Sequence, residues 1–399
     1  MSVINLKLPI DNSFTNLTIY EGILFLLNNN DADYNLESID ITSNALENTY
    51  GLLEDSRLDI NSRNGRRLSI NTTKNDNNRP NRPIIKLLNS LNIEAQSKVN
   101  RYEELLRLLK EHSNKLRLPS IVNLICNIEN DLFIGDIKDK KDGYSLQLFK
   151  MERYTGITSG ELDYATRQLT TYLSKEALLI ALLGIYSSFV SRVRENNTTY
   201  YYFLFFTSDE IIALLNRDSD IRTAFLIKDK IIEHISDIIR KHYGEELLIA
   251  ELAINTNIQD LLRTYNIDKI SFLLFRIAAE GQTYKIYQQI PLIIQKKELA
   301  DIYKKLAELL EPNKLILNRL SNNKINRLSN NKNPEYNNLI SAIIAIYRFV
   351  ILNDRQGLFI LLRELLNAYN KLNNKEGKKI AEYYANRLKS LGKSIEYAI

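Results

Sequence analysis

The stretch from Tyr172 to Leu215 constrains this chain more than any other. Ser174 can cap a helix running to about Arg194, and Ala177, Leu178, Leu179, Ile180, Ala181, Leu182 and Leu183 leave it almost no polar face. Such a helix must be surrounded by protein. From Ala177 to Val190 the apolar run is about two-thirds of the roughly 20 residues a bilayer crossing requires, and Ser187 and Ser188 interrupt it, so a membrane span is not expected. A polar turn follows at 195–199. Tyr200, Tyr201, Tyr202, Phe203, Leu204, Phe205 and Phe206 are too closely spaced for one helical face and fit a strand covered on both sides, with a new helix starting at Thr207 to Glu210.

A chain of 399 residues that is 44% hydrophobic has material for two or three domains with real cores. Its one cysteine, Cys126, excludes an internal disulfide and any cysteine-rich zinc module, which suits a reducing compartment. Met1 to Leu8 lacks the basic region and apolar block of a secretion signal, so a cytoplasmic location is expected. Abundant Ile, Asn, Lys and Tyr, with no Trp, suit an AT-rich genome.

The order of periodicities predicts an α+β fold: a mixed α/β N-terminal part with a small, mostly antiparallel sheet, then an all-α helical bundle. Val3 to Leu8 and Leu36 to Ile41 read as strands, and Tyr20, Ile23, Leu24 and Leu27 recur at helical spacing behind a Ser13 or Thr15 cap. Residues 1–56 form the opening α/β unit and 57–83 a basic flexible loop, because Asn, Arg, Ser, Thr, Gly65, Pro80 and Pro83 neither bury apolar surface nor sustain a helix. Residues 84–215 supply helices and a sheet core, including strands at Ile121 to Ile128, Leu132 to Ile137 and Ala165 to Leu173. Residues 216–399 read as helices, among them Ile221 to Tyr243 and Lys269 to Ala279, with an Asn-rich insertion at 313–333 in which NRLSNNK occurs twice.

The net charge of +5 hides its placement. Between Arg57 and Lys86, eight basic residues (Arg57, Arg63, Arg66, Arg67, Lys74, Arg79, Arg82 and Lys86) meet two acidic ones, a net of +6. Between Asn313 and Asn333, Lys314, Arg319, Lys324, Arg327 and Lys332 meet none, a net of +5. The rest of the chain is therefore acidic. Arg-rich chain can follow a phosphate backbone and release its counterions, while interspersed Asn and Ser add hydrogen bonds to sugars and bases. These thirteen side chains are the candidate nucleic-acid contacts, with Arg66 and Arg67 beside Gly65 foremost. A solvated, variable surface loop is the plainer alternative for both segments.

No phosphate-binding GxxxxGK[ST] loop, GxGxxG turn or HExxH motif occurs. His112, His234 and His242 are too scattered for a shared metal, and Cys126 sits in an apolar run that suits an inert thiol. Asp131, Asp136 and Lys138 are the residues a metal-dependent nuclease would use, although the following Asp139 to Asp142 make a charged hairpin tip the better explanation. No catalytic set and no cofactor site are expected.

Three stretches, Tyr154 to Thr158 (YTGIT), Tyr172 to Phe189 (YLSKEALLIALLGIYSSF) and Tyr200 to Leu215 (YYYFLFFTSDEIIALL), resemble the large subunit of archaeal type I-A CRISPR surveillance complexes, the Csa group of Cascade proteins. The resemblance implies a non-enzymatic subunit that meets guide RNA and target DNA, contacts the other Cascade subunits, and supports recruitment of a separate helicase-nuclease. No residue of that family's target-reading motif maps onto this sequence, so the thirteen basic residues rest on charge alone. The competing expectations are a helical scaffold that binds only proteins and, behind it, the metal-dependent nuclease.

Overall fold

The computed structural model describes every residue except 60, 62–66, 78–82, 95–98, 129–130, 155–169, 196, 241–244, 298–300, 311–318, 320–333, 373–377 and 397–399. The described chain is α+β and forms two compact units, Met1–Leu226 with Ser271–Leu292, and Ile227–Ile270 with Ile293–Ile399. The three expected segments 1–56, 57–83 and 84–215 thus share one unit.

The first unit opens with β1 (Ser2–Lys7), α1 (Phe14–Asn28), β2 (Ala32–Tyr34), β3 (Ser38–Ile41), α2 (Ala45–Gly51) and α3 (Asp55–Leu58). It continues through α4 (Lys74–Asn77), α5 (Pro83–Ser90), α6 (Tyr102–Glu111), β4 (Ile121–Ile128), β5 (Leu132–Ile134) and β6 (Thr171–Leu173) to α7 (Lys175–Ser188), β7 (Phe189–Glu195), β8 (Thr198–Phe206) and α8 (Ser208–Leu215). Ser13 caps α1 by accepting from the Asn16 amide, Ser174 caps α7 through the Ala177 amide, and Thr207 caps α8 through the Glu210 amide. β1 to β6 form a mixed sheet in the order β2-β3-β1-β4-β5-β6, in which β1 runs parallel to β4 and antiparallel to β3.

α1 and α7 are buried along nearly their whole length and cross where two glycines meet. A Cβ on Gly22 would stand 1.9 Å from the Ile180 carbonyl oxygen, and one on Gly184 would stand 1.9 Å from the Thr18 carbonyl oxygen. Only hydrogen fits there, so the two backbones approach more closely than side chains would allow. Beside this crossing the Glu21 carboxylate accepts from the Ser187 hydroxyl at 2.5 Å. Phe14 of α1 makes edge-to-face contacts with Phe203 and Phe205 of β8 and with Phe275, which seats the helix pair on a second sheet.

The second unit takes over within α9 (Ile221–Arg240) and contains α10 (Glu245–Ile254) and α11 (Thr256–Thr264). The chain then returns through β9 (Lys269–Glu280) and β10 (Thr283–Gln295), whose residues 271–292 belong to the first unit, before α12 (Asp301–Leu310), α13 (Tyr336–Leu352), α14 (Gln356–Lys371) and α15 (Lys378–Glu396). Leu247, Ile254, Leu306, Leu309, Leu339, Ile346, Leu361, Leu365 and Tyr384 make a common core for these helices.

Three expectations are corrected. α7 ends at Ser188 and not near Arg194, because Phe189–Glu195 becomes an edge strand beside β8. The helix expected at Lys269 to Ala279 is β9: Ile270 to Phe275 is buried throughout, and β9 pairs antiparallel with the aromatic β8, so sheet pairing overrides a periodicity compatible with helix. The loop expected at 57–83 is ordered in its described parts, since Leu58, Leu68 and Ile70 are buried and α4 lies within it. Tyr144 to Met151 forms a single bridge, Tyr144 to Leu173, and then a 3-10 turn from Gln147.

Gly184→Ala is expected to cost about 1–3 kcal/mol or more of stability through overpacking. Gly392→Ala, in α15 with open space around its Cβ, should instead stabilise by roughly 0.5–1 kcal/mol. Denaturant unfolding of the two variants beside the parent chain checks both signs.

Candidate nucleic-acid interface

The five described members of the thirteen basic residues meet different fates. Arg57 is only 4% exposed; its Nη2 donates to the Tyr186 carbonyl at 2.7 Å and its guanidinium lies 4.0 Å from the centre of the Tyr186 ring. It clamps α3 to α7 and is withdrawn as a nucleic-acid contact. Lys86 donates to the carbonyls of Gly143, at 2.7 Å, and Lys141, and sits over the Tyr144 ring; burial pushes its pKa down. Arg319, in the second unit, is spent on the fully buried carboxylate of Glu335, with Nη2 at 2.6 Å and Nε at 2.7 Å from Oε1. Lys74 is exposed on α4, and Arg67 is half-buried. Arg63, Arg66, Arg79, Arg82, Lys314, Lys324, Arg327 and Lys332 lie outside the described residues.

Arg67 is part of something the sequence reading missed. Residues 67–71 (Arg-Leu-Ser-Ile-Asn) run extended, burying Leu68 and Ile70 completely and leaving Arg67, Ser69 and Asn71 on the alternate side. The segment is held on every side: the Leu68 amide donates to the Arg57 carbonyl, the Thr72 amide to the Asn100 carbonyl, and the Tyr102 amide to the Ile70 carbonyl. Asn71 bridges Arg101, and the Tyr284 hydroxyl donates to the Asn71 carbonyl. At its far end the fully buried Asp76 carboxylate accepts from the amides of Thr73 and Gln147 and from the Thr73 hydroxyl.

This anchoring gathers three guanidiniums. Arg192 of β7 donates from Nη1 to the Ser69 hydroxyl at 3.0 Å, and Arg67 reaches the same oxygen from Nη2 at 3.4 Å. Arg101 lies 3.6 Å from Oε1 of Glu103, an oxygen with no hydrogen-bond partner, while Oε2 of that fully buried carboxylate accepts from the Ile70 amide at 3.2 Å. Burial pushes the Glu103 carboxyl above its ordinary range, against the opposing pull of the Ile70 amide, Arg101 and Arg67. Burial likewise raises Asp76. Arg101 and Arg67 both act on the Glu103 carboxylate, while Arg192 stays exposed to solvent. Such a cluster is suited to a phosphate, which offers several acceptor oxygens and a compensating charge.

The sequence is 37% identical over 411 aligned positions to a protein of Archaeoglobus fulgidus described as an uncharacterized protein, and the match covers 98% of this chain and the whole of that one. The chain belongs to the family of that archaeal protein. No family model matches the sequence, and no solved structure matches it.

The metal-dependent alternative finds its carboxylates elsewhere and engaged. Asp131 is buried, accepts from the Thr170 amide at 2.9 Å and pairs with Lys140, while Asp136 accepts from the Asn123 side chain at 2.8 Å. Among the described residues no group of three His, Cys, Asp or Glu is placed to hold a metal ion. Burial lowers the pKa of His234 and raises that of Cys126, and His242 lies outside the described residues.

Arg101 and Arg192 carried weak sequence signals. Arg101 stands at the N-cap of α6 inside a segment read only as helices and sheet core, and Arg192 lies within a span read as helix. The period of two in Ser191-Arg192-Val193-Arg194 was the usable sign of a strand with cations on one side.

Arg57→Gln is expected to lower stability by about 2–4 kcal/mol, from the lost charged hydrogen bond and ring contact, without changing the salt dependence of nucleic-acid binding. A second expectation concerns pH. A carboxyl whose folded pKa lies above its unfolded value gives the folded state the larger number of bound protons between those values. Its contribution is therefore complete below the unfolded pKa and is lost as pH rises through the folded one. Glu103→Gln should accordingly flatten the decline of stability from about pH 4 upward, read as melting temperature against pH.

Proposed function

We propose that this chain is a non-catalytic nucleic-acid-binding subunit of an archaeal type I-A CRISPR interference ribonucleoprotein, touching target DNA or guide RNA through phosphate contacts. The single observation that carries nucleic-acid binding is the convergence of Arg67 and Arg192 on Ser69 beside an edge strand, with Arg101 nearby at Glu103. Two other arginines are spent inside the fold, Arg57 on a carbonyl and a ring and Arg319 on a buried carboxylate. Arg192 stays exposed to solvent, and its guanidinium with those of Arg67 and Arg101 concentrates positive charge there, the electrostatic footprint of a polyanion site.

Membership of a CRISPR complex rests on the resemblance of Tyr154 to Thr158, Tyr172 to Phe189 and Tyr200 to Leu215, and kinship with an archaeal protein is in keeping with it. In that setting the chain would work in the cytoplasm beside the other Cascade subunits and a separate helicase-nuclease, and among its described helices none is long and apolar enough to cross a membrane. The protein-scaffold reading has its own support in Ile340 and Ile344 of α13 and Phe359 and Leu366 of α14, which are 37 to 56% exposed. A subunit of an assembly would need both kinds of surface.

Titrating salt against affinity for single-stranded DNA and RNA tests the reading. Binding should weaken steeply with salt, and Arg101→Gln should reduce the slope of log affinity against log salt by about 0.7 on single strands. Salt-insensitive or absent binding would leave only the scaffold. Co-expression with type I-A Cascade subunits and a guide RNA should return this chain in the purified particle; a particle that assembles without it removes the CRISPR assignment.

A further inference from the structure

β7 is one edge of a four-stranded antiparallel sheet ordered β10-β9-β8-β7. Its register against β8 shifts by one residue: Phe189 opposes Phe203, but Ser191 opposes Tyr202, leaving Val190 as the extra residue of a bulge. Opposed residues share a face, so Arg192 lies on the face of Tyr201 and Arg194 on that of Thr199, the same face as Phe203 and Phe189. Without the bulge, alternation would set Phe189 and the two arginines on opposite faces. With it, one strand plants Phe189 in the aromatic core and carries two exposed arginines out along the same face toward Ser69.

Resting on the nucleic-acid reading above, we infer that Arg192 and Arg194 form a track that holds two consecutive phosphates of one nucleic-acid strand, with Arg67 and Arg101 closing around the first. Residues two apart on a strand are about 6.6–6.8 Å apart. Consecutive phosphates of an extended strand are spaced similarly, close to twice the ~3.4 Å axial step per nucleotide of a duplex strand. Among the described residues Arg194 has no hydrogen-bond or ion-pair partner, so its charge is available to a ligand. Glu195, the acidic neighbour in sequence, is turned to the other face, where it is 2.7 Å from Arg276. The rings nearest the track, Tyr201 and Tyr284, are buried to 1% exposure and offer bases no stacking surface. The track therefore reads the sugar-phosphate backbone and leaves the bases turned away, which makes binding independent of base identity.

The test is fluorescence anisotropy of the full chain with labelled oligothymidylate and with an abasic oligomer of equal phosphate number, each titrated with salt. Arg192→Gln and Arg194→Gln should each lower the salt slope by about 0.7, and the double variant by about 1.4. Lys285→Gln removes the same charge from the opposite edge strand, where Lys285 pairs with Glu280, and should leave the slope unchanged. The abasic oligomer should bind with the parent slope. A slope lowered by Arg192→Gln but not by Arg194→Gln overturns the track while nucleic-acid binding stands, and loss of binding to the abasic oligomer overturns backbone reading. Failure of the parent chain to bind either probe overturns both readings together.

Discussion

The contact on which the first unit depends is the crossing of α1 and α7 at Gly22 and Gly184. With no Cβ on either residue, carbonyl oxygens of Thr18 and Ile180 occupy the positions where side chains would begin. Close backbone approach lets both helices bury nearly all their surface, against each other and against the sheets, and this accounts for two helices with so little polar face. Phe14, one residue after the Ser13 cap, extends the pair into the aromatic cluster of β8 and β9, so the mixed sheet and the antiparallel sheet share one hydrophobic support.

From that support the basic segment takes its order. Arg57 is laid across Tyr186 of α7, and further along the chain Leu68 and Ile70 are inserted into the core. The intervening polar chain can be Asn- and Arg-rich because its apolar anchors lie at both ends. Two buried carboxylates finish the attachment: Asp76 by collecting three donors, Glu103 by capping the Ile70 amide. Their burial is unfavourable for the charged form and raises both carboxyls, opposed in part by backbone amides at both and by Arg101 and Arg67 at Glu103. The consequence is a rigid presentation of Arg67 and Arg101, so that a ligand would meet charges already in place.

The same aromatic sheet positions the third guanidinium. β8 is buried by its neighbours on both sides, which commits β7 to the edge, and the edge is where charged side chains are tolerated and where they block pairing with another chain. Arg192 and Arg194 therefore have a protective role available to them as well as a ligand-binding one. It is the convergence of Arg192 with Arg67 at Ser69 that separates the two, because a merely protective arginine has no reason to share a hydroxyl with another cation.

The sequence by itself determined the α+β class, the buried α7 with its Ser174 cap, the doubly covered aromatic strand and the helix start at Thr207 to Glu210, since each follows from local spacing and hydrogen-bonding groups within a few residues; it left Ser13 and Thr15 both open as the cap of α1. It also marked residues 57–86 as a concentration of positive charge. It could not separate Arg57, which is internal, from Arg67, which is not: ten residues apart in similar surroundings, they differ only in which distant element each one meets. The strand identity of Lys269–Glu280 was decided by pairing with β8, some seventy positions earlier in the chain. The face on which Arg192 and Arg194 stand was decided by one extra residue at Val190, because strand parity fixes sides only while the register runs unbroken, and a bulge is a property of two paired strands that neither strand's sequence contains.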